Sequence, residues 1–179
     1  MAISSSEIKL ILSGSAASNT DANQSFGGQI STATTGGIGN SGGVITSDLI
    51  NNDMDDITSA EASSGITIYH NYYYKNEHAS LTYISPKFYI DTQTNSGDTS
   101  VAMALVTEAK NVATTRLTNE TTVPATVTFT TPANYAGGIA IGSLDAGDYR
   151  GIWVKYIVGS SASAVLDSYT LGIQGDSNP

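Results

Sequence analysis

The chain has 179 residues, no cysteine and a formal net charge of −9, a length that suits one domain or one domain with an arm. The missing cysteines exclude disulfides, Cys-based zinc sites and thiol nucleophiles, and the negative charge without a basic cluster argues against nucleic-acid binding. Charged residues make up only 13% of the chain. A polar but weakly charged surface of this kind is common where a protein packs against neighbouring copies.

The start of the chain lacks the basic and apolar regions of a secretory signal. No stretch approaches the ~20 apolar residues of a membrane span. We therefore expect a soluble protein that is made in a cytoplasm and has no membrane partner.

Alternation of apolar and polar residues predicts β-strands along most of the chain. Turn sequences rich in Asn, Asp, Gly and Ser separate the strands, and a long helix is not indicated. The fold predicted is all-β, a two-layer antiparallel β-sandwich of immunoglobulin-like or jelly-roll-like type. In chain order, the predicted strands are residues 8–13, 66–75, 81–90, 99–106, 127–129, 139–141, 152–158 and 169–174.

Residues 14–46 differ from the rest of the chain, since they hold eight glycines and a single charge, at Asp21. With few apolar side chains the segment cannot bury much surface by itself, and it is long for a loop of a compact domain. We expect residues 1–46 to form a strand and a Gly/Ser/Asn-rich arm, which is either ordered against a neighbour or a mobile surface segment. The sandwich domain then spans residues 47–179, and Phe26 and Ile30 are the arm's candidate contacts to a partner.

An acidic stretch follows the arm and contains no balancing Lys or Arg. Converging carboxylates could bind calcium, and Asp53, Asp55 and Asp56 are the weak candidate ligands. The spacing does not match an EF-hand loop, which needs a central glycine and a terminal bidentate glutamate. A solvated loop or an Asx-capped turn is therefore favoured, and no cofactor is expected.

The sequence offers little for catalysis. Its only histidines are His70 and His78, and no GxSxG elbow supplies a nucleophile for either of them. Two of the 16 acids could converge as a glycosidase pair, but nothing singles out a pair. The sequence predicts that the protein is not an enzyme, and a glycan hydrolase is the least supported interpretation.

Four tyrosines lie in one predicted strand. Period-two geometry sends Tyr72 and Tyr74 to one face and Tyr69 and Tyr73 to the other. One pair can form core, and the other must be covered by the arm, by a partner subunit or by a sugar. For Tyr69 and Tyr73 we favour subunit contact over stacking against a glycan.

Three segments, in this order, resemble a family of small structural proteins of tailed-bacteriophage virions. The resemblance implies a capsid decoration or tail protein, and it carries over no active-site residues because the family has no catalytic motif. The three segments are EIKLILSGSAASNTDANQSFGGQIS, NNDMDDITSAEASSGITIYHNYYYKNEHASLTY and LDAGDYRGIWVKYIVGSSASAVLDSYTLGIQGD.

On this resemblance we expect a decoration or cement protein on the outer surface of the capsid, where it bridges subunits of the major capsid protein. Such a protein is expected to be a homo-oligomer, and a trimer suits the threefold positions of a capsid. Two alternatives stay open. One is a tail, collar or fibre-attachment component, and the other is a carbohydrate-binding β-sandwich module.

Overall fold

The computed structural model of the chain describes residues 2–35, 40–46, 53–54 and 56–177. Within them, no helix is long and apolar enough to cross a membrane. The helical elements are two 3₁₀ turns, Ser5–Glu7 and Ala22–Gln24, and one short helix, α1, at Ser59–Ser64. The strands are β1 (Ile8–Gly14), β2 (Gln29–Ile30), β3 (Asn40–Ser41), β4 (Val44–Ile45), β5 (Ile66–Asn76), β6 (Tyr83–Thr92), β7 (Thr99–Leu105), β8 (Ile139–Ala140), β9 (Tyr149–Val158) and β10 (Thr170–Ser177).

The strands form two antiparallel sheets. The larger sheet has the order β3-β4-β1-β5-β9-β7, with β2 pairing to β1, and the smaller sheet has the order β10-β6-β8. The prediction of a two-layer antiparallel β-sandwich is confirmed. Seven of the eight predicted strands are present, with ends that shift by one to three residues.

The main core lies between the two sheets. In the larger sheet the register places Leu12, Tyr72 and Ile152 side by side on β1, β5 and β9. Phe88 and Ile90 of β6 face them from the smaller sheet, and all five side chains are almost fully buried. Alternate residues of a strand point to the same face of its sheet. The apolar residues that recur at every second position in these strands therefore lie on the faces that form this core.

The other face of the larger sheet is covered as well, by the irregular segment of residues 106–130. Trp153 and Tyr69 lie in a second apolar cluster, against which Val127 and Phe129 pack. The predicted strand at residues 127–129 is wrong. Its apolar side chains pack on the face of the sheet instead of pairing in it, and only an isolated bridge from Thr130 joins this segment to β7.

The N-terminal segment belongs to the sandwich. Strand β1 pairs with β5 on one side and with β4 on the other, so residue 46 is not a domain boundary, contrary to the expected division. Residues 15–35 fold back over the larger sheet, and Gly28 donates its N–H to the Thr114 carbonyl at 2.8 Å. Gly28 has φ +101°, and a Cβ there would lie 2.2 Å from the Gly14 carbonyl oxygen, so only glycine fits this crossing.

Candidate contact surfaces

Tyr73 is covered by the arm of its own chain. The side chain is fully buried, and its hydroxyl donates to the Gly28 carbonyl at 2.5 Å and accepts the Thr114 N–H at 2.8 Å. Burial raises the pKa of this phenol, although the hydrogen bonds from Thr114 oppose the rise. The hydroxyl thus ties the arm to the segment after β7.

Tyr69 is also buried within the chain. It is 8% exposed, its ring lies 5.5 Å from the Phe129 ring, and its N–H donates to the Glu120 carbonyl at 2.7 Å. The interpretation of Tyr69 and Tyr73 as contacts to a subunit or a glycan is therefore corrected. Of the three covers considered for this face, the chain's own arm is observed, at Tyr73. The segment after β7, which was not among the three, covers Tyr69.

The two arm residues named as partner contacts lie in different environments. Phe26 is 8% exposed, with its ring 6.0 Å from the His70 ring and 5.2 Å from the Arg116 guanidinium. It is a contact within the chain and not a contact to a partner. Ile30 lies in β2 opposite Ser13 and is partly exposed.

A buried polar cluster anchors the arm to β5, and the sequence pattern did not reveal it. Ser25 donates its hydroxyl to the Asn71 carbonyl at 2.7 Å, and the Asn71 N–H donates to the Ser25 carbonyl at 2.6 Å. The Ser13 hydroxyl also donates to the Asn71 carbonyl, at 2.8 Å. All three residues are fully buried. The one feature of the sequence that could have indicated this cluster is the polar residue Asn71, which lies between tyrosines in a strand of mostly apolar residues.

Asp53, a candidate calcium ligand, is a hydrogen-bond anchor. Its carbonyl accepts from the Tyr72 hydroxyl at 2.6 Å and lies 2.6 Å from His70 Nδ1, so Nδ1 carries the proton. Its carboxylate accepts from the Tyr169 hydroxyl. Burial, followed by the charge of Asp53, raises the pKa of Tyr169 well above its ordinary value.

Among the described residues, the structure shows no cluster that joins the other two candidate calcium ligands, Asp55 and Asp56, to Asp53. Asp56 is exposed, and Asp55 lies outside the described residues. No group of three or more His, Asp or Glu side chains that could hold a metal ion is found in the described ranges.

Each of the two histidines forms a hydrogen bond with a backbone group. For His70 this is the contact of Nδ1 with the Asp53 carbonyl. His70 is fully buried, and its Nε2 lies 3.8 Å from the Glu120 carboxylate. His78 accepts the N–H groups of Ser80 and Leu81 at Nδ1, at 3.0 and 2.9 Å. The hydrogen bonds of the described chain thus give each imidazole a structural role.

The outer edge of the larger sheet, at β7, is capped. The Gln93 amide donates to the Val101 carbonyl at 2.8 Å and accepts the Val101 N–H at 3.0 Å. Thr130 exchanges two backbone hydrogen bonds with Met103, at 2.8 and 2.9 Å. A side chain and a short bridge therefore occupy the groups that a further strand would use.

Among the residues that the structure describes, none caps the outer edge of the smaller sheet, at β10. β10 pairs with β6 on one side, and no described residue hydrogen-bonds to the backbone on its other side. Immediately before the strand, Leu166 is 80% exposed and Val165 is 56% exposed. We call the free side of Thr170–Ser177 together with Val165 and Leu166 the β10 edge surface. In the sequence, this surface is indicated only by the apolar pair Val165 and Leu166 within a Ser-rich connection. A search for alternating strand residues does not detect such a pair.

The β10 edge surface is the candidate contact surface of the fold. It combines unpaired main-chain groups with exposed apolar side chains, the two ingredients of strand addition. No family model, curated protein or solved structure matches this chain.

Proposed function

We propose that the protein is a non-enzymatic structural component of a tailed-phage virion, most specifically a capsid decoration or cement protein. In this role it binds the outer shell and bridges neighbouring subunits of the major capsid protein. The observation that carries the proposal is the β10 edge surface. The three-segment resemblance and the low content of charged residues support the virion assignment.

The free edge is suited to a partner strand. Exposed edges are often guarded by lysine, proline, β-bulges or a covering loop. Thr170–Ser177 contains neither lysine nor proline, and its irregularities are confined to two register shifts. Register shifts at Thr170/Leu171 and at Gln174/Asp176 leave Leu171–Gln174 as the regular stretch. Main-chain hydrogen bonds along this stretch provide directional affinity, and exposed Leu166, four residues before the strand, supplies an apolar side chain.

The rest of the fold is compatible with a particle component that is assembled in a reducing cytoplasm. Both faces of the larger sheet are covered without a disulfide. Binding to a folded shell then adds to the free energy of unfolding by mass action. Self-association, with a trimer on threefold positions, remains part of the proposal.

Copy number tests the proposal directly. Quantitative mass spectrometry of purified particles measures this chain against the major capsid protein. A copy number comparable to that of the capsid protein supports decoration, and far fewer copies indicate the alternative, a tail, collar or fibre-attachment component. Complete absence from particles contradicts the virion assignment.

A pair of variants tests the contact surface. Leu166→Asp places a charge on the β10 edge surface, and we expect loss of binding to capsid shells because the buried carboxylate has no partner. Val123→Asp is the matched control, since Val123 is 63% exposed in the covering segment on the other side of the molecule. If both variants bind shells like the wild type, the β10 edge surface is not the contact.

A further inference from the structure

The outward face of the smaller sheet carries two tyrosines and a lysine. Phe88 and Ile90 of β6 point into the core, so the alternate residues Lys87 and Tyr89 point away from it. Across the sheet, Gly172 lies opposite Tyr89, while Gln174 and Ala140 lie opposite Lys87 on its two sides. Small and polar residues thus surround a partly exposed aromatic ring.

The ring of Tyr89 lies against the backbone of β10. A Cβ at Gly172 would lie 2.6 Å from both Cε2 and Cζ of Tyr89, so the absence of a side chain there is what allows the contact. Glycine within a strand often marks such a close approach. The ring therefore lies against the strand, and the side chain stays partly exposed.

A second ring completes the surface. Lys87 Nζ lies 5.3 Å from the centroid of the Tyr135 ring and donates to the Ala136 carbonyl at 3.3 Å. No described acidic residue pairs with Lys87. The hydroxyls of Tyr89 and Tyr135 likewise have no hydrogen-bond partner in the described ranges.

We infer that this face, formed by Lys87, Tyr89, Tyr135 and Gly172 and called here the Tyr89 face, binds a neutral glycan. A sugar ring has an apolar C–H face that packs on an aromatic ring, and hydroxyls that bond to polar groups at its edge. Tyrosine supplies both the ring and the polar group. The free phenol hydroxyls and the remaining Lys87 donors are the groups that meet the sugar hydroxyls.

Charge favours a neutral sugar over an anionic one. The chain carries −9, and exposed Asp91 follows Tyr89 on the same face of β6. An anionic polysaccharide is repelled by this field. Lys87 alone does not reverse it.

A protein partner fits the Tyr89 face less well. A stable interface buries ~800 Å² on each partner around an apolar centre, whereas the residues opposite Tyr89 and Lys87 in the sheet are Gly172, Gln174 and Ala140. A glycan needs only one or two rings and a few hydrogen bonds. The inference goes beyond the structural role proposed above, and it relocates the glycan alternative from the buried Tyr69 and Tyr73 to two partly exposed tyrosines.

Affinity electrophoresis of the full chain tests the inference. The protein is run through native gels that contain dextran, laminarin, glucomannan, galactomannan or hydroxyethylcellulose, and we expect retardation in at least one of them. Tyr89→Ala and Tyr135→Ala should each weaken the binding about tenfold, the loss expected for one aromatic contact. Leu166→Ala, on a separate exposed surface, is the control and should be retarded like the wild type.

Two results overturn the inference. One is the lack of retardation in all five gels, and the other is retardation that neither tyrosine variant reduces. Tyr135 lies in an exposed connection before β8, so Tyr135→Ala keeps the test valid if Tyr89→Ala fails to fold. Loss of shell binding in these variants without any sugar retardation identifies the face as a protein interface and also refutes the glycan. The copy number per particle is measured independently, so failure here is distinct from failure of the virion assignment.

Discussion

Tyr73→Phe isolates the hydroxyl that ties the arm to the sandwich. The substitution keeps the ring and removes the partner of two backbone groups, the partly buried Gly28 carbonyl and the buried Thr114 N–H. Each orphaned group costs about 1–2 kcal/mol, so we expect the free energy of unfolding to fall by about 2–4 kcal/mol. For a domain of this size the midpoint of thermal unfolding falls by roughly 5–15 °C.

Equilibrium unfolding in urea measures the effect, with fluorescence of Trp153 as the probe, since it is the single tryptophan and is 2% exposed. The matched control is Tyr149→Phe, whose hydroxyl donates to an exposed carbonyl, that of Asn111. We expect the control to change the free energy of unfolding by less than about 1 kcal/mol. Equal losses in the two variants would refute the view that Tyr73 holds the arm in place.

Two further predictions concern a loop and a sheet edge. Burial raises the pKa of Asp167, but hydrogen bonds from a threonine hydroxyl and backbone N–H groups outweigh it and hold the pKa below its ordinary value of 3.8. Its ionised form therefore stabilises the fold above that pH, and the contribution disappears as the pH falls through the lowered pKa. Asp167→Asn should flatten the stability–pH curve below about pH 4, and an unchanged slope contradicts this. Gln93→Ala removes the side chain that hydrogen-bonds to the backbone of Val101 at the β7 edge, so we expect faster aggregation in light-scattering assays. Gln174→Ala is the control and should aggregate like the wild type. Equal aggregation rates in the two variants would argue against the cap.

Strand positions could be predicted because burial on one face imposes period two on the residues. In β5 the pattern placed Tyr72 and Tyr74 on one face and Tyr69 and Tyr73 on the other, and the first pair lies in the core between the sheets. The same logic failed at residues 127–129, where Val127 and Phe129 alternate with threonine in an extended segment that lies across the sheet. Alternation of apolar and polar residues shows that one side of an extended segment is buried. It does not show that the segment pairs with another strand.

The arm and the contact surfaces depend on distant residues, which local pattern does not encode. Ser13 and Ser25 are polar, and their hydrogen bonds with Asn71, with each other and with Gly27 make burial favourable. The two-residue strands β2, β3 and β4 are too short to show a period. The free edge of β10 likewise follows from strand order, which places β6 on one side only.

The position of β5 between β1 and β9 also governs the order of events during synthesis. β5 ends at Asn76, but its partner β9 runs to Val158, so about 80 further residues must leave the ribosome before the pairing can form. At ~5–20 residues per second this takes roughly 4–16 s. Throughout that interval the consecutive tyrosines Tyr72, Tyr73 and Tyr74 have only β1 as a sheet partner. The nascent chain therefore spends seconds with an aromatic strand open to misassociation, and its successful folding depends on that strand being kept from other chains until β9 arrives.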